Sequence, residues 1–169
     1  MTSPVLEAIY NRRSIREYTD KAVDSELLHE IIKAGIWAPS GLNNQPWRFV
    51  IIKDQQVRHR LAEQTKYGHI IKAAPALIAI YLDPAVMYNE VKDHQAAGAC
   101  IQNMLLATEA VDLGAVWLGQ ILQNKKEVNE ILGLAEDLDL MAVLAIGHPA
   151  NRDQKSQRKS LGEFILEEI

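Results

Sequence analysis

Apolar residues recur with two different periods along this chain of 169 residues, and the alternation of the two predicts mixed helix and strand. Val5, Leu6 and Ile9 share one face of a short helix over residues 3–11, with Ser3 placed to cap it and Pro4 in its first turn. Asp24 or Ser25 opens a second helix carrying Leu27, Leu28, Ile31, Ile32 and Ile36, stopped by Pro39. Residues 48–53 read as a strand, and residues 55–65, where charged and apolar groups alternate, as a surface helix. Pro75 precedes a strand over Ala76–Leu82. Residues 93–112 form the longest helical candidate. It is apolar nearly all round, with Ala96, Ala97, Ala99, Ile101, Met104, Leu105, Leu106 and Ala110, and should be buried on more than one side. A strand over 115–118 follows, then a helix over Lys125–Leu132 ending near Gly133, then a buried strand over 140–146 whose apolar run is continuous. Residues 151–159 are polar and charged and read as a mobile loop. The tail after Ser160 holds Leu161, Phe164, Ile165, Leu166 and Ile169, too apolar to hang free in water. No repeat appears, and a single domain over residues 1–169 is expected.

Composition narrows the chemistry. The formal charge of −4 provides no global basic field for nucleic acid. No apolar run approaches the roughly 20 residues of a membrane span, and no signal peptide is evident. With Cys100 as the one cysteine no intramolecular disulfide can form, so the chain reads as cytoplasmic; Cys100 itself reads as inert packing. The histidines at 29, 59, 69, 94 and 148 lack paired ligand spacing, so no metal site is expected. Asp93-His94, at the start of the longest helix, reads as capping and surface solvation. Walker-type, Rossmann-type and nucleophile-elbow glycine motifs are all missing.

Two segments carry positive signals. Arg12-Arg13-Ser14-Ile15-Arg16 gathers three guanidiniums and a hydroxyl, groups that bind phosphate oxygens. Taken alone, the run also fits a solvated helix end. Ala38-Pro39-Ser40-Gly41-Leu42-Asn43-Asn44-Gln45-Pro46-Trp47 is turn-rich and offers the donors and acceptors that the polar edge of a heterocycle requires, though alone it also fits a plain irregular loop. A phosphate clamp followed by an amide-rich loop points to a phosphorylated aromatic cofactor.

With these two segments, the helix around Asn103-Met104-Leu105-Leu106-Ala107, the run Asp112-Leu113-Gly114-Ala115-Val116-Trp117-Leu118-Gly119, Ile146-Gly147-His148-Pro149 and Arg158-Lys159-Ser160-Leu161, the chain resembles the nitroreductase family of FMN-dependent oxidoreductases. The resemblance implies an α+β fold: a central, mainly antiparallel sheet flanked by helices in three layers. It implies FMN as cofactor and NADH or NADPH as transient donor, with ping-pong hydride transfer to nitroaromatic, quinone or flavin-like acceptors. It also implies a homodimer with FMN sites at the subunit interface. By the same resemblance Arg12, Arg13, Ser14 and Arg16 hold the phosphate and ribityl chain, and Arg158 reaches the same phosphate with Lys159 as a weaker helper. Pro39, Ser40, Asn43 and Gln45 line the flavin ring from the partner subunit. Leu118, Gly119 and Gln120 place backbone amides near its N5 and O4. Lys66 and His69 are candidates for one further polar contact. The segment 83–92 is too brief for the long helical excursion of larger members, and no protein acid or base for substrate protonation is evident. An FMN-binding or redox-sensing module with little turnover is the alternative.

Overall fold

The structure is a computed structural model and describes residues 3–169. Its frame is a sheet of four strands: β1 (Trp47–Ile52), β2 (Ala76–Leu82), β3 (Gly114–Leu118) and β4 (Asp139–Gly147), in the order β1-β2-β4-β3 with every pair antiparallel. Helices cover both faces. On one lie α2 (Ser25–Ile36) and α5 (Glu90–Ala110), with α1 (Pro4–Asn11) packed outside against α5; on the other lie α3 (Gln55–Ala62), α4 (Gly68–Ala73) and α6 (Lys125–Leu132). This is the three-layer α+β arrangement expected.

Strand β2 shows why two helical layers are needed. Ala76, Ile78 and Ile80 face α2 and α5, while Leu77, Ala79 and Tyr81 face α3, α4 and α6, and all are fully buried. A strand apolar on both faces requires cover on both. Strand β4 adds a bulge opposite Ile80 and Tyr81, where Met141 is the extra residue. The bulge sends Leu140 and Ala142 into opposite cores although they are two apart in sequence.

The predicted strands and longer helices are present, with boundaries shifted by a few residues. Ser3 and Asp24 occupy the N-cap positions of α1 and α2, but neither side chain makes a cap hydrogen bond. Asp54 caps α3, accepting from the Val57 amide at 2.8 Å. Helix α5 begins before Asp93, with Asn89 accepting from the Lys92 amide at 3.1 Å. Its burial runs through Asp93, Ala96, Ala97, Cys100, Ile101, Met104, Leu105 and Thr108, one broad face. Ala99 and Ala107 are half-buried and Ala110 is exposed, so the expected burial on more than one side is reached only in part within this chain. Helix α4, with six residues, is too short to show a period and was not expected. Residues 151–159 have no regular structure, and Leu161–Glu163 form a single 3-10 turn closed by a Ser160–Glu163 capping box. Among the described residues no helix is long and apolar enough to cross a membrane.

Candidate functional site

The arginine segment leaves the end of α1 extended and lies along the free edge of β3. Ser14 bridges to Ala115 in parallel, with the Ile15 amide 3.0 Å from the Ala115 carbonyl. Two glycines paired across β3 and β4, Gly114 and Gly147, make room for it. A Cβ on Gly114 would stand 2.7 Å from Ile15, and one on Gly147 would stand 2.8 Å from the Tyr18 ring. The Tyr18 hydroxyl lies 2.6 Å from the Ile15 carbonyl and 3.0 Å from the Ala145 carbonyl, tying the segment down. Burial raises the pKa of this hydroxyl against the opposing charge of Arg16, so it remains a donor.

An extended chain turns alternate side chains to opposite sides. Ile15 and Arg13 border a polar cleft with Asn11, Glu109, Arg152 and Gln154. The Arg13 guanidinium is committed there to the carbonyls of Tyr10 (2.6 Å), Arg12 (3.0 Å) and Gln154 (3.2 Å), which gives it a bracing role. Arg16 borders a different cleft, against β3. Arg12 is half-buried and its Nε meets no partner among the described residues. Burial, with Arg13 and Arg158 adding to it, lowers the Arg12 pKa, and Glu109 opposes them weakly. Glu109 is itself engaged by Arg152 at 3.0 and 3.1 Å. Arg12, Arg13 and Arg158 form no ion pair among the described residues. Like charges drawn from both ends of the chain, with an orphaned donor among them, make a fitting receptor for an anion.

The second cleft, about 170 Å³, is lined by Arg16, Tyr67, Ile70, Val116, Trp117, Leu118 and Gly119. Gly119 has φ −102°, open to any residue, yet a Cβ there would meet nothing within 4 Å. The space in front of that backbone is free, as the approach of a planar ring requires. The Gln120 side chain does not enter the cleft; it bonds to the turn between α3 and α4. Lys66 in this turn and His69 in the first turn of α4 are exposed, and Lys66 Nζ lies 5.3 Å from the centre of the Tyr67 ring.

Pro39, Ser40, Asn43 and Gln45 lie elsewhere, between α2 and β1, and none of them lines the Gly119 cleft. Pro39 and Ser40 border a shallow hollow against Tyr88, Lys92, Gln95 and Ala99 of the α5 side. Ser40 Oγ accepts from the Gln45 amide at 3.1 Å. Leu42, Asn43 and Gln45 all have left-handed φ of 47–56°, a costly backbone for residues other than glycine. Asp93 holds the loop: fully buried, it accepts from Asn44 Nδ2 (2.7 Å) and from the amides of Tyr88 and Asn89 (both 2.9 Å). Burial works to raise its pKa, but the bonds from Asn89, Asn44 and Tyr88, with His94 beyond, outweigh it and hold the carboxyl below its ordinary range. The reading of Asp93-His94 as surface solvation is therefore corrected for Asp93. His94 is half-exposed and pairs with Asp139 at 3.3 Å. Sequence reasoning also missed Tyr18 and Tyr67, since neither sits in a charged or glycine-rich pattern.

Known proteins match this arrangement over most of the chain. The sequence profile described as Nitroreductase family matches residues 9–68 and 59–148. A provisionally named NADH dehydrogenase/NAD(P)H nitroreductase of Archaeoglobus fulgidus is 34% identical over 153 residues, covering 89% of this chain and 87% of that protein. A provisionally named nitroreductase of Desulfovibrio desulfuricans, solved in complex with FMN, is 52% identical with a TM-score of 0.96, covering 100% of this chain and 99% of that one. The NADPH:FMN oxidoreductase of Vibrio harveyi, solved with NAD+, is 25% identical with a TM-score of 0.89, covering 98% of this chain and 77% of that one.

Proposed function

The chain belongs to the nitroreductase family, and from that premise we propose that it is an NAD(P)H-dependent FMN oxidoreductase. When bound, FMN supplies the chemistry of accepting and releasing a hydride; the protein binds, orients and shields it. The observation that carries the reading is the pairing of an unneutralised arginine cluster with an open, glycine-floored cleft beside β3. Arg12 and Arg158, with Ser14, hold the phosphate. Arg16, which lines the cleft, would lie between the phosphate and the ring. The amides that follow Leu118 would lie near N5, the atom that exchanges hydride, and O4, where fixed donors orient the ring and tune its potential without reorganising.

Pro39, Ser40, Asn43 and Gln45 complete the site from a second copy. Support comes from their absence from the cleft lining within one chain and from the large apolar residues left exposed away from it, among them Trp37, Leu42 and Val91. A single cleft for the ring and no separate dinucleotide motif suit ping-pong turnover, with the nicotinamide leaving before a nitroaromatic, quinone or flavin acceptor arrives.

The experiment is direct. Purified protein should take up one FMN per subunit, and NADH or NADPH should bleach its visible band without oxygen. Double-reciprocal plots at several acceptor concentrations should be parallel. A protein that takes up no FMN sinks the proposal. A yellow protein that neither nicotinamide bleaches points instead to a flavin-binding module.

A further inference from the structure

We propose that Gln120 is a positioning residue whose side chain sets the spacing between the two walls of the Gly119 cleft, an inference that rests on the cleft being the seat of the flavin ring. One wall is the end of β3, from Val116 to Gly119. The other is Tyr67 and Ile70, from the turn between α3 and α4 and the start of α4. These walls come from segments about 50 residues apart.

A single carboxamide joins them. Thr65 Oγ1 donates to Gln120 Oε1 at 2.6 Å, and the Lys66 amide donates to the same oxygen at 2.8 Å. The Tyr67 amide in turn donates to Thr65 Oγ1 at 3.2 Å. Three consecutive residues of the turn are thus referenced to one atom. Gln120 Nε2 donates to Gln123 Oε1 at 2.7 Å, which fixes the orientation of the amide. Because Gln120 follows Gly119 directly, the carboxamide and the backbone that meets the ring move together. A second tie, Asn124 Nδ2 to the Gln64 carbonyl at 2.9 Å, joins the same two segments, but neither residue borders the cleft.

The spacing matters because contact energy is steep. A gap about 0.5–1 Å too wide forfeits a quarter to a half of the dispersion between facing atoms. The arginine cluster grips the phosphate, so it cannot correct a loose fit at the ring. Loosening the Gln120 tie should therefore weaken any ligand that carries the ring, with or without phosphate.

The test compares three variants with the wild type. Gln120→Leu removes both acceptor bonds at similar volume. Gln120→Glu restores the acceptor. Asn124→Ala removes only the remote tie. FMN and riboflavin affinities are measured by flavin fluorescence quenching, and the flavin-saturated proteins by visible circular dichroism, with thermal melting as a check on folding. Gln120→Leu should weaken FMN and riboflavin by the same factor, about tenfold, and alter the dichroic bands. Gln120→Glu should recover most of both, and Asn124→Ala should stay within about twofold of the wild type. If Gln120→Leu does not fold, Thr65→Val, which deletes the hydroxyl link and the acceptor of the Tyr67 amide but leaves the Lys66 bond to Gln120, should show a smaller change in the same direction for both flavins. The inference is overturned if the Gln120 or Thr65 variant binds both flavins as the wild type does, if only FMN weakens, or if Asn124→Ala reproduces the loss. Wild-type protein that binds no flavin would overturn the flavin reading itself, a separate result.

Discussion

Arg12 shows how one residue ties the fold to the chemistry. It is half-buried, repelled by Arg13 and Arg158, and left with an unpartnered Nε. A bound phosphate would answer all three conditions. A charge-assisted contact is worth about 1.5–3 kcal/mol, so Arg12→Ala should weaken FMN about 10- to 100-fold, with riboflavin little changed. Calorimetric titration of both flavins checks it; equal losses for the two would move Arg12 away from the phosphate. Asp93 makes the opposite case, a buried charge whose role is structural. Its pKa is depressed in the folded chain. The stability it contributes is therefore present above the unfolded carboxyl pKa of about 3.9 and is lost as pH falls through the lower folded value. Asp93→Asn turns an amide donor toward donors and should cost about 1–3 kcal/mol at neutral pH. Urea unfolding from pH 7 to pH 3 should show the variant losing less stability over that range than the wild type.

At the scale of elements, the decisive contact is the seating of the segment 12–18 on the end of the sheet. Gly114 and Gly147 face each other in β3 and β4, and Ile15 and Tyr18 occupy the space their missing side chains leave. The free edge of β3 is covered in the same step, through the Ser14–Ala115 bridge. Gly114→Ala would place a methyl 2.7 Å from the Ile15 side chain. Overpacking of this kind costs about 1–3 kcal/mol, and here it also shifts Ser14 and Arg16. Stability in urea and FMN affinity should fall together. Tyr18→Phe keeps the packing and removes the hydroxyl tie, so its cost should be nearer 1 kcal/mol. Unchanged flavin binding in a destabilised Gly114→Ala protein would separate the seat from the site.

For the whole molecule, the question is what covers the apolar surface. Leu161 and Phe164 of the tail are largely exposed, and Leu166 and Ile169 fully so. The loop from Pro39 to Gln45 and the Gly119 cleft do not share a lining within one chain. A second copy would answer both, and obligate dimers commonly bury more than about 2,000 Å². Assembly and flavin binding are then linked by mass action, since the ligand binds the assembled form. Truncation after Ser160 should weaken the dimer and release FMN together. Sedimentation followed at the flavin absorbance checks this. A monomer carrying a full equivalent of FMN at micromolar concentration would return Ser40, Asn43 and Gln45 to a role within one chain.

The sequence by itself determined the elements whose signals are local. Strand β2 and helix α6 begin and end where Pro75, the continuous apolar run and Gly133 say they must, because period and backbone preference act over a few residues. The family was legible for a similar reason: its motifs are short runs of contiguous residues in a set order. Helix α4 was not legible, being shorter than two turns. Only the tertiary structure decided which side chains meet. It turned Arg13 onto backbone carbonyls while leaving Arg12 Nε without a partner among the described residues, and it brought Arg158 to Arg12 across the length of the chain. It buried Asp93 beneath a loop that begins some 50 residues earlier, and it drew Gln120 to Thr65 and Lys66. Residue type states what a side chain can donate or accept. Which partner it finds, and whether burial makes that partner indispensable, is set by packing between segments distant in sequence, and no local pattern encodes that.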